Sequence, residues 1–321
     1  MSTKMNLRPG ECTISSFSPE DVLGMKGDGT IALGVYCYVI RVADVNDPSK
    51  KMALKTLKFL EDENGYRYQR FLFCNEVRFL QNVQHPNIIQ VEKALVCPGE
   101  FVIATEYHPT NLFNDLRRHT QAEVSKYFSQ VVDALLYLHD RHIVHGDVNL
   151  QNVLIDTQGN AKLCDFGMAQ LVPNKSSKRW GGYTTMYYNG PEYIRGRPAE
   201  DVFKLESFSL GVCLCALSLR VYPDKDLNYL ELLRAGESVP DIHRVCAERL
   251  LCPSTVERAS ISEIHQRLND HRQSESRAQS DVIHESPAPV SVPTPRKCSH
   301  VKEEYRNLHS RGKALKQKTK T

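Results

Sequence analysis

The sequence predicts an α+β fold, in which a small five-stranded antiparallel sheet carrying one helix precedes a mainly helical part. Strand-like alternation fills the stretch from Gly27 to Leu57. A single amphipathic helix follows, with one carboxylate, Glu76, on an otherwise apolar face, and after Glu106 the periodicity becomes that of helices. These shifts divide the chain into an N-terminal extension (1–19), a first lobe (20–105), a second lobe (106–270) and a disordered basic tail (271–321).

In the first lobe, glycines at Gly27 and Gly29 lead into IALGVYCYVIRV, and the turn formers Asn46, Asp47 and Pro48 separate this from MALKTL, which reads as a three-strand meander. Leu72, Glu76 and Leu80 recur at i, i+4 and i+8, so they share one face of a helix expected over Phe71 to Val83. Ile88 to Val91 and Phe101 to Thr105 supply the last two strands. In the second lobe Thr120 and Glu123 make a capping box, and Val124, Phe128, Val131, Leu135 and Leu138 form the apolar stripe of the helix behind it. The loop HGDVNLQN comes next. Two short strands, VLID and AKLCDF, flank the turn Thr157-Gln158-Gly159-Asn160, and a long polar segment runs to Pro191. The remainder is helical to about Leu268, with a second capping box at Ser260 and Glu263. Beyond it Ser, Pro, Lys and Arg dominate, a composition that cannot offset ordering entropy.

With 321 residues, 41% hydrophobic and 25% charged, the chain can bury a large core. No signal-like apolar run opens the sequence, and the longest apolar run, Leu210 to Leu219, is half of what a bilayer needs, so no transmembrane segment is expected. The expected location is intracellular: the cytoplasm, with the nucleus as a second site. The ten cysteines form no C-x-x-C pair and read as reduced, mostly buried thiols. The net charge of +3 is uneven, since residues 271–321 hold 11 of the 41 Lys and Arg but 5 of the 38 Asp and Glu. The body is near neutral, which argues against a nucleic-acid-binding fold. Within the tail, PAPVSVPTPRK can adopt polyproline II and meet a docking partner that reads proline, although an unread flexible tail is the plainer reading.

HGDVNLQN followed by Asp165-Phe166-Gly167 resembles the protein kinase family, whose catalytic loop commonly reads HRDLKPEN. The resemblance covers roughly residues 20–270 and takes in Lys55 within MALK, Glu76, Asp147, Asn152, Gly190-Pro191-Glu192 and Arg258, in that family's order. It implies a bilobal protein kinase fold, ATP and Mg2+ as cofactors, and a protein substrate with a Ser/Thr acceptor. Singly, each residue has a plainer reading: Lys55 as a strand lysine, Asp147, Asn152 and Asp165 as turn formers. The plain readings do not account for the set.

Phosphoryl transfer is mostly positioning and charge neutralisation, the logic of the general kinase template. By resemblance Lys55 pairs with the α- and β-phosphates and Glu76 holds it; Asp147 accepts the substrate proton; Asn152 and Asp165 ligate magnesium. The adenine is expected between Val35 and Ala53 above and Leu154 below. Glu106 to His108 would form the hinge, behind a small Thr105 gatekeeper. Gly27 and Gly29 bring backbone to phosphate. His145, Phe166, Leu80 and Val91 resemble the family's internal stack, and Glu192 with Arg258 its buried ion pair.

Four departures qualify the resemblance. The third glycine of the loop is displaced to Ala32 or Gly34. Asn149 stands where serine/threonine kinases carry a lysine, and Gln151 where many tyrosine kinases carry a compensating arginine; losing a charge aimed at the transition state costs on the order of a few kcal/mol unless Lys175, Lys178 or Arg179 swings in. Gly146 replaces the arginine that clamps a phosphorylated segment, so activity is expected without phosphate on Ser176, Ser177, Thr184 or Thr185. Glu206 stands where an aspartate usually braces the loop. Thr185, Tyr188 and Gly190-Pro191-Glu192 resemble the serine/threonine-specific pattern. The competing reading is a pseudokinase, a nucleotide-binding scaffold or allosteric regulator; a small-molecule phosphotransferase fits Gly190-Pro191-Glu192 and Arg258 less well.

Overall fold

The computed structural model describes residues 12–14, 23–33, 37–59, 62–173, 185–194 and 201–284. The chain forms two units, residues 1–273 and 274–321, and of the second only the end of one helix, to His284, is described. The tail beyond it, with its proline-containing segment, lies outside the described residues, as do Val35, Gly34, Ser176, Ser177, Thr184, Lys175, Lys178 and Arg179.

Five antiparallel strands make the first sheet: β2 (Met25–Leu33), β3 (Cys37–Asp44), β4 (Lys51–Lys58), β5 (Val91–Cys97) and β6 (Glu100–Glu106). A short strand, β1 (Cys12–Ile14), adds in parallel to β5, giving the order β1-β5-β6-β4-β3-β2. The extension expected over 1–19 thus contributes a sixth strand.

Alternation sorts the side chains. Leu54, Val102 and Ala104 pack with Val42 on one face, whereas Leu57, Phe101 and Ile103 pack with Phe73 and Val77 of helix α1 (Glu63–Leu80) on the other. Since Ala53, Lys55 and Leu57 alternate in step, Lys55 lies on the face that α1 covers.

Two expected boundaries need correction. Helix α1 starts well before Phe71, because Asp62 caps it by accepting from Gly65 N at 2.8 Å, and it ends at Leu80 instead of Val83. Of the strand expected over Ile88 to Val91, only Val91 belongs to a strand. The backbone ahead of it ties to the second lobe instead, with Ile89 N donating to Leu163 O at 3.0 Å and Leu163 N to Asn87 O at 2.8 Å. The strand begins where that tie ends, at Val91.

The second lobe is built on α2 (Gln121–His139), whose capping box is closed in both directions between Thr120 and Glu123. Two small sheets follow, β7 (Thr110–Asn111) with β9 (Val153–Ile155) and β10 (Ala161–Leu163), and β8 (Ile143–Val144) with β11 (Gln170–Leu171). Helices α3 (Pro191–Ile194), α4 (Phe203–Leu219), α5 (Tyr229–Ala235), α6 (Asp241–Leu250) and α7 (Ile261–His284) complete it. Helix α4 is buried nearly all round, which explains its apolar run, and among the described residues no helix is long and apolar enough to cross a membrane. None of Cys37, Cys74, Cys97, Cys164, Cys213, Cys215, Cys246 and Cys252 forms a disulfide.

Arg258, fully buried, grips Glu192 with two bonds of 2.6 and 2.9 Å and also donates to Cys252 O and Lys204 O. Gly190 is required beside it, since a Cβ there would lie 2.5 Å from Glu192 Oε1. The helix that opens at the Ser260–Glu263 box does not stop near Leu268 but continues to His284, so part of the expected disordered tail is helical. The reason is local: Arg267 to His284 holds neither glycine nor proline and includes the helix formers Arg, Gln, Glu and Ala.

Candidate active site

Strand β4 and helix α1 bring Lys55 and Glu76 together across the first lobe, and the loop after β10 adds Asp165. Lys55 Nζ lies 2.7 Å from Glu76 Oε2 and 2.8 Å from Asp165 Oδ1. Burial works against all three charges. Lys55 is nonetheless held above the usual lysine range by its two carboxylates, and the Lys55 charge holds Asp165 below the carboxylate range. Glu76, the most enclosed, is pushed up to about 7 by burial, with Lys55 pulling the other way. Asp165 adopts a left-handed backbone (φ 64°, ψ 73°). Both bonds described for its carboxylate, from Lys55 and from Gly167 N, fall on Oδ1.

The loop between β8 and β9 frames Asp147. Its Oδ1 accepts from Thr185 N at 3.1 Å and Thr185 Oγ1 at 3.0 Å, and its Oδ2 from Asn152 Nδ2 at 2.9 Å. Asn152 Nδ2 also donates to Asp147 O, which leaves the amide oxygen of Asn152 free of the bonds that build the loop. Asn149 is buried. Its Oδ1 caps a short 3-10 turn by accepting from Gln151 N and Asn152 N at 2.9 and 3.1 Å, and its Nδ2 donates to Asp147 O and Thr185 Oγ1 at 3.2 and 3.3 Å.

Gly146 sits at φ 88°, a conformation glycine adopts without strain, and donates its N–H to Glu206 Oε1 at 2.7 Å. The other oxygen of Glu206 meets His139 Nε2 at 2.7 Å, so the longer carboxylate does brace the loop. His145 donates Nε2–H to Cys164 O at 2.9 Å and accepts from Asp147 N at Nδ1, which fixes the orientation of the ring. Its ring meets Phe166 edge-on at 4.8 Å, and Leu80 and Val91 pack into the same core.

Across the cleft, Ala53 pairs in register with Thr105 on β6, and Leu154 lies on β9 opposite Lys162. Glu106 ends β6; the buried His108 ring lies 3.2 Å from its carboxylate, and with Lys162 at 3.5 Å holds that carboxyl below its usual range against burial. Gly27 and Gly29 fall on β2, where irregular register accommodates the displaced glycine spacing. The structure therefore gathers Lys55, Glu76 and Asp165 in one cluster and Asp147, Asn152 and Thr185 in another, while Gly27, Gly29, Ala53, Glu106, His108 and Leu154 occupy the neighbouring strands and their ends.

Sequence reasoning missed two contacts. Asp28, between the two glycines, is clamped by Arg41 through Nε at 2.8 Å and through its carbonyl at 2.7 Å, while the Arg41 guanidinium also lies over the Tyr107 ring. Asn75 donates to the turn after Asp165. The Asn75 contact had a signal, because Asn75 lies three residues after Leu72 on the face that carries Glu76.

Among known proteins, the chain is 26% identical over 242 residues to the cell cycle serine/threonine-protein kinase CDC5/MSD2 of Saccharomyces cerevisiae, covering 71% of this chain and 34% of that protein. It is 32% identical over 228 residues to the putative serine/threonine-protein kinase YPL150W of the same yeast, covering 67% and 24%. It is 27% identical over 277 residues to NUAK family SNF1-like kinase 1 of Homo sapiens, covering 81% and 40%. The chain thus spans between 24% and 40% of the length of these relatives. Residues 27–270 match the family model of the protein kinase domain, and with the two clusters above in that domain's order, the chain belongs to the protein kinase family.

Proposed function

We propose that this chain is a working serine/threonine protein kinase, transferring the γ-phosphoryl group of ATP to a hydroxyl of a protein substrate. The observation that carries this is the fixing of Asp147, whose carboxylate accepts bonds of 3.0, 3.1 and 2.9 Å from Thr185 and Asn152. A carboxylate oriented before the substrate arrives is what a general base requires, and a turn-forming aspartate has no need of such a frame.

In this reading Asp147 takes the proton of the substrate hydroxyl, and Thr185 steadies both the carboxylate and that hydroxyl. Lys55, kept charged between Glu76 and Asp165, neutralises the α- and β-phosphates. Ala53 and Leu154 sandwich the adenine, and the backbone from Glu106 to His108 meets its polar edge. Magnesium suits the donors present. Asp165 Oδ2 and the amide oxygen of Asn152 carry none of the bonds described for those side chains, and both are hard oxygen ligands. A magnesium ion in such a site takes one or two protein oxygens, with substrate phosphates and water completing its shell. Bound there, magnesium would neutralise charge on the phosphate oxygens. Serine/threonine specificity is supported by Thr185, Tyr188 and Gly190-Pro191-Glu192 and by the names of the relatives.

Asn149 favours a second reading, a nucleotide-binding scaffold with little transfer. The position is uncharged, 2% exposed, and its amide is engaged with the loop and Thr185. The deciding experiment follows transfer from labelled ATP and magnesium to mixed protein substrate by wild type, Asp147→Asn and Asn149→Lys. Transfer that vanishes in Asp147→Asn is the expected result. Wild type at the Asp147→Asn background, with gain in Asn149→Lys, would establish the scaffold reading instead.

A further inference from the structure

Helix α1 meets the Asp165-Phe166-Gly167 turn along Leu72, Asn75 and Glu76, the i, i+3 and i+4 positions of one face. Leu72 packs on Gly167, with Cδ2 3.5 Å from where a Cβ would stand, and Glu76 reaches Asp165 through Lys55. Between them Asn75 Nδ2 donates to Gly167 O at 2.9 Å and Ala169 O at 2.8 Å, with Phe166 O at 3.4 Å. Carbonyl oxygens only accept, so the NH2 side of the amide has to face the turn, and the two short bonds engage both of its hydrogens. The turn needs holding, because Asp165 occupies the left-handed region, where a residue with a Cβ is strained.

We propose that Asn75 is a positioning residue: it pins the turn to α1 and makes the ion-paired arrangement of Lys55, Glu76 and Asp165 the resting state of this chain. The pin itself follows from geometry; its effect on nucleotide binding rests on the kinase reading. It answers the substitution at Gly146. A chain with no cation at that position to clamp a phosphorylated segment holds the turn from α1 instead, through an uncharged amide that needs no modification.

The test uses the full chain as wild type, Asn75→Asp and Asn75→Ala. Aspartate keeps the size but has no hydrogens to donate. Alanine favours a helix more than asparagine does, so any loosening it causes comes from the missing bonds and not from a weaker α1. Amide hydrogen exchange over residues 165–172 is expected to quicken about tenfold in both variants, with α4 unchanged as the folding control. The gain in ADP affinity on adding magnesium is expected to fall about tenfold, with metal-free ADP affinity unchanged. Wild-type exchange in both variants overturns the proposal, and so does faster exchange with an unaltered magnesium response in a chain whose wild type transfers phosphate. Faster exchange in a chain whose wild type transfers no phosphate upholds the pin and counts against the kinase reading alone.

Discussion

Thr185 and Asn149 show how one side chain can serve two partners. Thr185 Oγ1 donates to Asp147 Oδ1 and accepts from Asn149 Nδ2, so replacing it by valine keeps the shape and removes both bonds. Asp147 then retains one bond on that oxygen, from Thr185 N. We expect Thr185→Val to lower kcat about tenfold with nucleotide KM unchanged, the cost of about 1–2 kcal/mol of positioning. Steady-state kinetics check it, and a rise in KM alone would count against the role. At this scale legibility depends on distance along the chain. The Lys55–Glu76 contact was readable because helical spacing put a carboxylate on an apolar face. The bonds of Asn149 were not, since one partner lies 36 residues away and the sequence shows only a missing charge.

At the scale of elements, Arg258 joins three pieces of chain: Glu192 of α3, α4 through Lys204 O and the Phe208 ring beneath its guanidinium, and Cys252 O after α6. Removing one partner of a buried pair leaves an uncompensated charge. Arg258→Leu should therefore lose about 3–5 kcal/mol in urea unfolding, and a loss below 1 kcal/mol would mean that Glu192 finds water or another partner. Both capping boxes were legible in the sequence because each is closed within four residues of one chain segment. The start of α1, the true limits of β5 and the reach of α7 were not. The cap at Asp62 lies outside the apolar repeat, and the segment from Asn87 to Ile89 is claimed by β10, a tertiary choice that local pattern does not carry.

Over the whole molecule, three helices of the second lobe meet at His243. Ser125 Oγ donates to Gln121 O and so accepts from His243 Nε2–H at 2.7 Å, while His243 Nδ1 accepts from Ser218 Oγ at 3.0 Å. Both ring nitrogens are satisfied only in the neutral form. Burial, helped by the charge on His271, lowers His243 from an ordinary 6.5 to about 4. The unfolded chain therefore takes up a proton between those values that the folded chain refuses, and stability present above pH 6.5 is lost as pH falls toward 4. The expected loss is about 3 kcal/mol. Urea unfolding at pH 7 and pH 4.5 checks it: His243→Gln should lose less over this interval than wild type, and equal losses would assign the effect elsewhere. The two-lobed plan was legible at this scale because it rests on a change of period, from alternation to helical repeat, at Glu106. The place of β1 was not, as three residues carry too little pattern.

That short strand bears on how the chain behaves among its copies. Cys12–Ile14 runs along β5, which would otherwise present a row of unpaired N–H and C=O groups at the rim of the sheet. An uncovered rim is a template for strands of other chains, so trimming the protein back past Ile14 opens Ala94 to Val96 of β5 to intermolecular β pairing. Cys12–Ile14 is thus a guard against aggregation at that rim of the first sheet.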